Sequence, residues 1–194
     1  MVITKNGIFR LAKKTDRDEK MKAKLGLFLI ACFTLMGCGT QLSDYESSSP
    51  KFDLFEYFVG DVKAWGIVQD YSGKQVRSFE VVIVGRVKGD RLTLVEDFIY
   101  NDGVQEQRVW QINRLADGTY QGTAQDIVGM ATGAEQGNAM RWQYDFELPY
   151  DGSTMTVSMD DWLYRQDEKH LFNITKVKKF GVEVAQVTIF FQKQ

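Results

Sequence analysis

The chain has 194 residues, 44% of them hydrophobic, with 2 prolines, 17 glycines and no low-complexity tract, which suits one globular domain with a real core. Its net charge of −2 hides an asymmetry: the first 37 residues carry eight Lys/Arg and three acids, leaving 16 basic and 23 acidic residues, a net of −7, in the remainder. That acidity argues against nucleic acid, whose phosphates demand a basic face, and against electrostatic docking on anionic headgroups.

Lys22 and Lys24 precede the apolar run Leu25-Gly-Leu-Phe-Leu-Ile-Ala-Cys-Phe-Thr-Leu35. A charged stretch followed by about a dozen apolar residues is the pattern of an export signal, too short for a comfortable membrane-spanning helix. The run ends in Leu35-Met36-Gly37-Cys38. This resembles the lipobox of bacterial lipoproteins, with Met36 a less usual residue than Ala or Ser at its position. The resemblance implies cleavage before Cys38 and lipidation of that cysteine, with more than one acyl chain, as stable anchoring requires. An ordinary signal peptide or a buried apolar strand is the competing reading. Met21 is the natural start of such a signal, so residues 1–20 read as an N-terminal extension or an over-extended start. Gly39 is not the aspartate associated with inner-membrane retention, so the resemblance implies the periplasmic face of the outer membrane. Cys32 falls in the segment that export removes, which leaves the mature domain without a free thiol or a disulfide. The expected organisation is therefore 1–37 extension and signal peptide, 38–50 lipidated cysteine and flexible Ser-rich tether, and 51–194 folded domain.

Phe52 to Phe58 (FDLFEYF) suits one or two helical turns plugging a core, ended by Gly60. Turn signals then recur at Ser72-Gly73-Lys74, Lys88-Gly89-Asp90, Asn101-Asp102-Gly103, Ala116-Asp117-Gly118, Asp151-Gly152 and Lys179-Phe180-Gly181. The fold predicted is all-β: an antiparallel up-and-down, lipocalin- or calycin-like barrel of about eight or nine strands with a short N-terminal helix. Turn chemistry also predicts registers. Asn101-Asp102-Gly103 sets Leu94 opposite Trp110, Leu92 opposite Ile112 and Glu96 opposite Arg108. Ala116-Asp117-Gly118 sets Trp110 opposite Ala124 and Arg108 opposite Asp126. The Gly89-Asp90 turn sets Ile83 opposite Glu96 and Gly85 opposite Leu94. One face then collects Phe79, Val81, Ile83, Val87, Leu92, Leu94, Phe98, Trp110 and Ile112, and a one-residue slip would turn each set outward.

The same face carries the row Glu96–Arg108–Asp126. It reads either as a polar floor for a ligand headgroup or as a self-satisfied ion-pair ladder or solvent-facing charge row. Residues 138–148 alternate Met140, Trp142, Tyr144, Phe146 and Leu148 on one face. Residues 155–163 do the same with Met155, Val157, Met159, Asp161 and Leu163. Asp160 and Asp161 point to opposite faces of their strand and are not a ready catalytic dyad. The Gly/Ala-rich stretch 129–140 reads as a mobile loop, a plain connector or a lid. There is one histidine, His170, no metal-ligand spacing, no G-x-S-x-G and no dinucleotide fingerprint, so no cofactor or metal is expected and an enzyme reading rests on carboxylates alone.

These residues carry a family resemblance. YFVGDVKAWG (57–66), Leu94-Val-Glu96-Asp-Phe98, Tyr100-Asn-Asp-Gly103, Arg108-Val-Trp110, Gly137-Asn138-Ala139, Trp142-Gln-Tyr144, Asp160-Asp161-Trp162 and KFGVEV (179–184) together resemble the bacterial lipoproteins catalogued as domain of unknown function 3833. The resemblance implies lipid-anchored periplasmic proteins and tilts the expectation toward lipid handling. Phe58-Val-Gly60 followed by Trp65-Gly66 is similar to the lipocalin opening, with a longer gap between Gly and Trp. The expectation is an envelope lipoprotein that binds a lipid or other small amphiphile in its barrel. Phe98, Trp110, Trp142, Tyr144 and Met159 would line the cavity, with Asp161 on its wall. Arg108, held by Glu96 and Asp126, would meet a polar head. The alternatives are a structural or interaction subunit of an envelope complex, and a carboxylate-dependent enzyme acting on a lipid-like substrate.

Overall fold

Successive apolar-alternating segments joined by tight turns can satisfy their backbone only by zipping into hairpins. The computed structural model, which describes residues 39–150 and 152–194, has that form. The signal-peptide and Cys38 expectations lie outside these residues. The strands are β1 (Gly60–Asp70), β2 (Gln75–Lys88), β3 (Arg91–Tyr100), β4 (Gln105–Arg114), β5 (Tyr120–Thr123), β6 (Ile127–Gln136), β7 (Ala139–Tyr150), β8 (Ser153–Arg165), β9 (His170–Lys179) and β10 (Val182–Lys193). Each pairs antiparallel with the next, and β10 pairs with β1, so the meander closes into a barrel. Closure satisfies both edges that an open sheet would expose.

The count is ten strands, where about eight or nine were expected. The difference lies in 119–140. The stretch 129–140 is not a loop: it forms most of β6, a turn at Gly137-Asn138 and the start of β7. Its small residues serve packing. Gly133 pairs with Trp142, and a Cβ there would run into the Arg141 carbonyl oxygen and lie 2.5 Å from the indole. Gly122 on β5 is equally constrained, with a Cβ only 2.9 Å from the far edge of the same ring. Glycine and alanine composition here marks room made for a large side chain, not mobility.

The register of β2, β3 and β4 is the one the turns dictate: Ile83 opposite Glu96, Gly85 opposite Leu94, Glu96 opposite Arg108 and Leu94 opposite Trp110. The β4–β5 ladder runs only from Arg114–Tyr120 to Gln111–Thr123, so the expected Trp110–Ala124 and Arg108–Asp126 ladder pairs do not form, although the Arg108 and Asp126 side chains still meet. Gln125 takes its place with a side chain. Its Oε1 accepts from Val109 N (3.2 Å) and its Nε2 donates to Gln107 O (2.6 Å).

The helix α1 (Leu54–Phe58) closes one end. Asp53 caps it, its Oδ1 accepting from the amides of Phe55 and Glu56 at 2.9 Å and from Arg114 Nη2 at 2.8 Å. Leu54, Phe55, Tyr57 and Phe58 are all buried. Gly85 is what lets the helix dock, because a Cβ there would overlap the Phe58 carbonyl. Residues 41–50, expected as part of a flexible tether, instead pack on the barrel wall. A 3-10 turn, Leu42–Tyr45, sets Tyr45 against Trp162 and Tyr164, at ring separations of 5.8 and 5.5 Å. Ser48 Oγ accepts from Asn138 N at 2.9 Å.

Candidate functional site

Alternate residues of every long strand point inward, and they do not fill the barrel. They enclose a cavity of about 470 Å³. Leu54 and Phe58 of α1 form its floor. At the opposite end it is bordered by Arg77, Tyr100, Glu106, Leu148 and Pro149, several of them exposed, which makes that end the mouth. The walls contributed by β10, β1 and the inner half of β2 are apolar, among them Val68, Val81, Ile83, Val187 and Ile189. Trp110 and Trp142 meet edge to face at 5.8 Å, and Trp110 meets Tyr144 at 5.4 Å, an arrangement that fixes rings without filling the space beside them.

The polar groups come from the other half of the wall. Glu96 (β3), Arg108 (β4), Tyr144 (β7), Asp161 (β8), and Asn173 and Thr175 (β9) all face the cavity. Arg108 is engaged already. Its Nε lies 2.8 and 3.1 Å from the two carboxylate oxygens of Asp126, and its Nη2 lies 2.7 Å from Oδ2. The rings of Phe98 and Phe146 lie 5.5 and 5.2 Å from the guanidinium carbon. Burial opposes its charge, but Tyr144, Glu96 and Asp126 outweigh that and push its pKa further up. Among the described residues no salt bridge joins Arg108 to Glu96, although they are cross-strand partners. The expected three-member row is thus one ion pair plus a separate acid.

Glu96 and Asp161 are the unusual groups. Burial pushes Glu96 up to about 7, against the pull of Arg108, with Asp126 and Asp161 adding to the rise. Asp161 is likewise pushed up to about 7 by burial, which the Thr175 and Tyr144 hydroxyls and Arg108 only partly offset. Thr175 has a single hydroxyl proton, and its 3.0 Å contact directs it to Asn173 Oδ1. Asp161 Oδ1 is buried with no hydrogen-bond partner. Burial also drives the Tyr144 phenol well above its ordinary pKa, so it is a neutral donor at physiological pH. The neighbouring Asp160 faces outward, as strand alternation requires. It accepts from Arg141 (2.7 and 2.9 Å) and Lys178 (2.9 Å), and chiefly the Arg141 bonds hold its carboxyl below the usual range.

Of the residues singled out in the sequence, Glu96, Phe98, Arg108, Trp110, Trp142, Tyr144, Met159 and Asp161 line this one cavity. Asp126 does not line it but stands beside Arg108 as its counter-ion. Asn173 and Thr175 were missed. On β9 the outward residues Phe172 and Ile174 are apolar and 40% and 37% exposed, while Asn173 and Thr175 are buried, so hydrophobic alternation points the wrong way. The usable signal was register, since Thr175 lies opposite Asp161. His170 sits at the start of β9, bonded through Nδ1 to Asp167 at 2.8 Å, away from the cavity lining. Among the described residues no group of three or more His, Cys, Asp or Glu is placed to hold a metal.

A closed ten-stranded antiparallel meander, plugged at one end and hollow around a polar centre, is an all-β barrel of the cavity-bearing kind. The chain belongs to the family described as Protein of unknown function (DUF3833), which it matches over residues 32–193. No curated protein matches it.

Proposed function

We propose that this protein is an envelope lipoprotein, anchored through Cys38 on the periplasmic face of the outer membrane, that binds one small amphiphile inside its barrel. The observation that carries the binding reading is the cavity. At about 470 Å³ it falls in the range of small-molecule sites, with apolar walls and a few converging polar groups. At about 30 Å³ per water-sized group it holds on the order of 15 such groups, the size of a medium-length hydrocarbon chain with its head. An interior left open where side chains could have filled it favours a ligand over a barrel acting only as an interaction scaffold. The anchoring reading is supported by Leu35-Met36-Gly37-Cys38 after an apolar run.

Native mass spectrometry with lipid extraction, on the full-length protein purified from membranes, tests the binding reading. A stoichiometric co-purified amphiphile is the expected result. A clean apo mass that persists after exposure to an envelope lipid extract would refute it. Metabolic labelling with a fatty acid tests the anchor: label should enter the wild type and be lost in Cys38→Ala.

A further inference from the structure

An amphiphile has a head, and the polar groups around the cavity restrict which heads it can have. Among the described residues, Arg108 brings the only guanidinium to the cavity's centre, and Asp126 bonds it through Nε and Nη2, with Phe98 and Phe146 beside it. Asp126 already compensates the Arg108 charge, so an anionic head would gain little from it and would have to approach the carboxyls of Glu96 and Asp161. That approach is unfavourable away from bulk water. What the centre offers instead is acceptors: the carboxyls of Glu96 and, above all, Asp161, one of whose oxygens is buried without a partner and can exchange places with the other by rotation of the carboxyl. A buried acceptor left unsatisfied is costly, and a ligand donor that meets it removes that cost.

We infer that the cavity selects a single-chain amphiphile whose head donates hydrogen bonds and carries no negative charge, an alcohol or a protonated amine, and that the Asp161 carboxyl receives that donor. This rests on the amphiphile reading above. Glu96 and Tyr144 face the same space and supply a second acceptor and a neutral hydroxyl for the rest of the head. The apolar wall of β10, β1 and β2 takes the hydrocarbon body.

The test uses the full-length protein in phosphatidylcholine nanodiscs at pH 8, where the Asp161 carboxylate predominates. Three probes share one chain and differ in the head: 12-bromododecan-1-ol, 12-bromododecylamine and 12-bromododecanoate. Terminal bromine quenches tryptophan emission at short range, and Trp110 and Trp142 line the cavity. A variant with Trp110→Phe and Trp142→Phe keeps Trp65 and Trp162, which lie outside the cavity lining, and supplies the membrane background. The alcohol and the amine should bind at least about tenfold more tightly than the carboxylate, the scale of one charge-assisted hydrogen bond. Asp161→Asn should weaken amine binding about tenfold without weakening the carboxylate probe.

Equal or tighter binding of 12-bromododecanoate by the wild type would overturn the head assignment while leaving amphiphile binding intact. So would unchanged amine affinity in Asp161→Asn. The wild-type ranking stands even if that variant does not fold. Quenching of Trp110 and Trp142 by none of the three would overturn the amphiphile reading itself, and this inference with it.

Discussion

Replacing Asp161 by Asn keeps the shape of the side chain and removes a buried charge. The folded protein raises this carboxyl from an ordinary 3.8 to about 7, chiefly by burial. The folded state therefore holds a proton that the unfolded chain releases, and stability falls as pH rises between those two values. Below about pH 3 both states are protonated and Asp161 costs nothing by this route. Above about pH 7 the cost is complete, about 4 kcal/mol at 1.36 kcal/mol per tenfold change. Water entering the cavity offsets part of that, so about 2 kcal/mol is the figure to expect. Asn cannot ionise. Its substitution also relieves Glu96, whose pKa the Asp161 charge helps to raise, and that effect has the same sign. The stability difference, Asp161→Asn minus wild type, should be about 0.5–1 kcal/mol at pH 4.5 and reach about 2–4 kcal/mol in favour of the variant by pH 8. Urea unfolding followed by far-UV circular dichroism across that range measures it. A difference that is flat with pH, or a variant less stable than wild type at pH 8, would refute the placement of Asp161 in a poorly solvated interior.

Arg108→Ala should cost about 2–4 kcal/mol in urea unfolding, below the fully buried range because the pair retains 19% and 27% side-chain exposure. Asp126→Asn should lose less, because the amide keeps a hydrogen bond. Gly133→Ala forces a Cβ against the Arg141 carbonyl oxygen and to 2.5 Å from Trp142, and should destabilise by about 1–3 kcal/mol, with a shift of tryptophan emission as β7 and its indole are displaced. Asp53→Ala removes the cap of α1 and one partner of Arg114. It should cost about 1–2 kcal/mol and raise amide exchange at Phe55 and Glu56 before any strand loosens.

Much of the barrel is legible in the sequence because hairpin register is a local property. Asn101-Asp102-Gly103 and Gly89-Asp90 fix which residues face each other, and alternation fixes which side they take. Glu96, Arg108 and Asp161 could therefore be placed on the same faces as the apolar residues, while a solvent-facing charge row stayed open for Glu96 and Arg108 until the closed barrel turned that face inward. The reading fails where local chemistry is ambiguous. Gly129 to Met140 has the composition of a loop, and only the cross-strand packing of Gly133 on the Arg141 carbonyl and the Trp142 ring explains why a strand needs glycine there. Gln125 continues the sheet with its side chain, a substitution that no propensity encodes. Residues 41–50 look like a linker because the aromatic partners of Tyr45, Trp162 and Tyr164, lie more than a hundred residues away in the chain. The void itself cannot be read from a list of inward residues, because it depends on how far the side chains reach across the barrel.

The seam between β1 and β10 has a consequence for how the molecule comes to exist. Its ladder runs from Val62–Lys193 to Asp70–Ala185, joining strands from opposite ends of the described chain, with Trp65 stacked on Phe190 across the outside at 6.3 Å. Every other ladder joins neighbours in sequence and can form as a hairpin in microseconds. This one closes the longest loop in the fold and carries the largest chain-entropy cost. Without it the sheet would be left open, with β1 and β10 as two unpaired edges. Cutting away Val182–Lys193 would not trim a terminus. It would split the vessel along its length, emptying the cavity and exposing β1 and β9 to any passing strand.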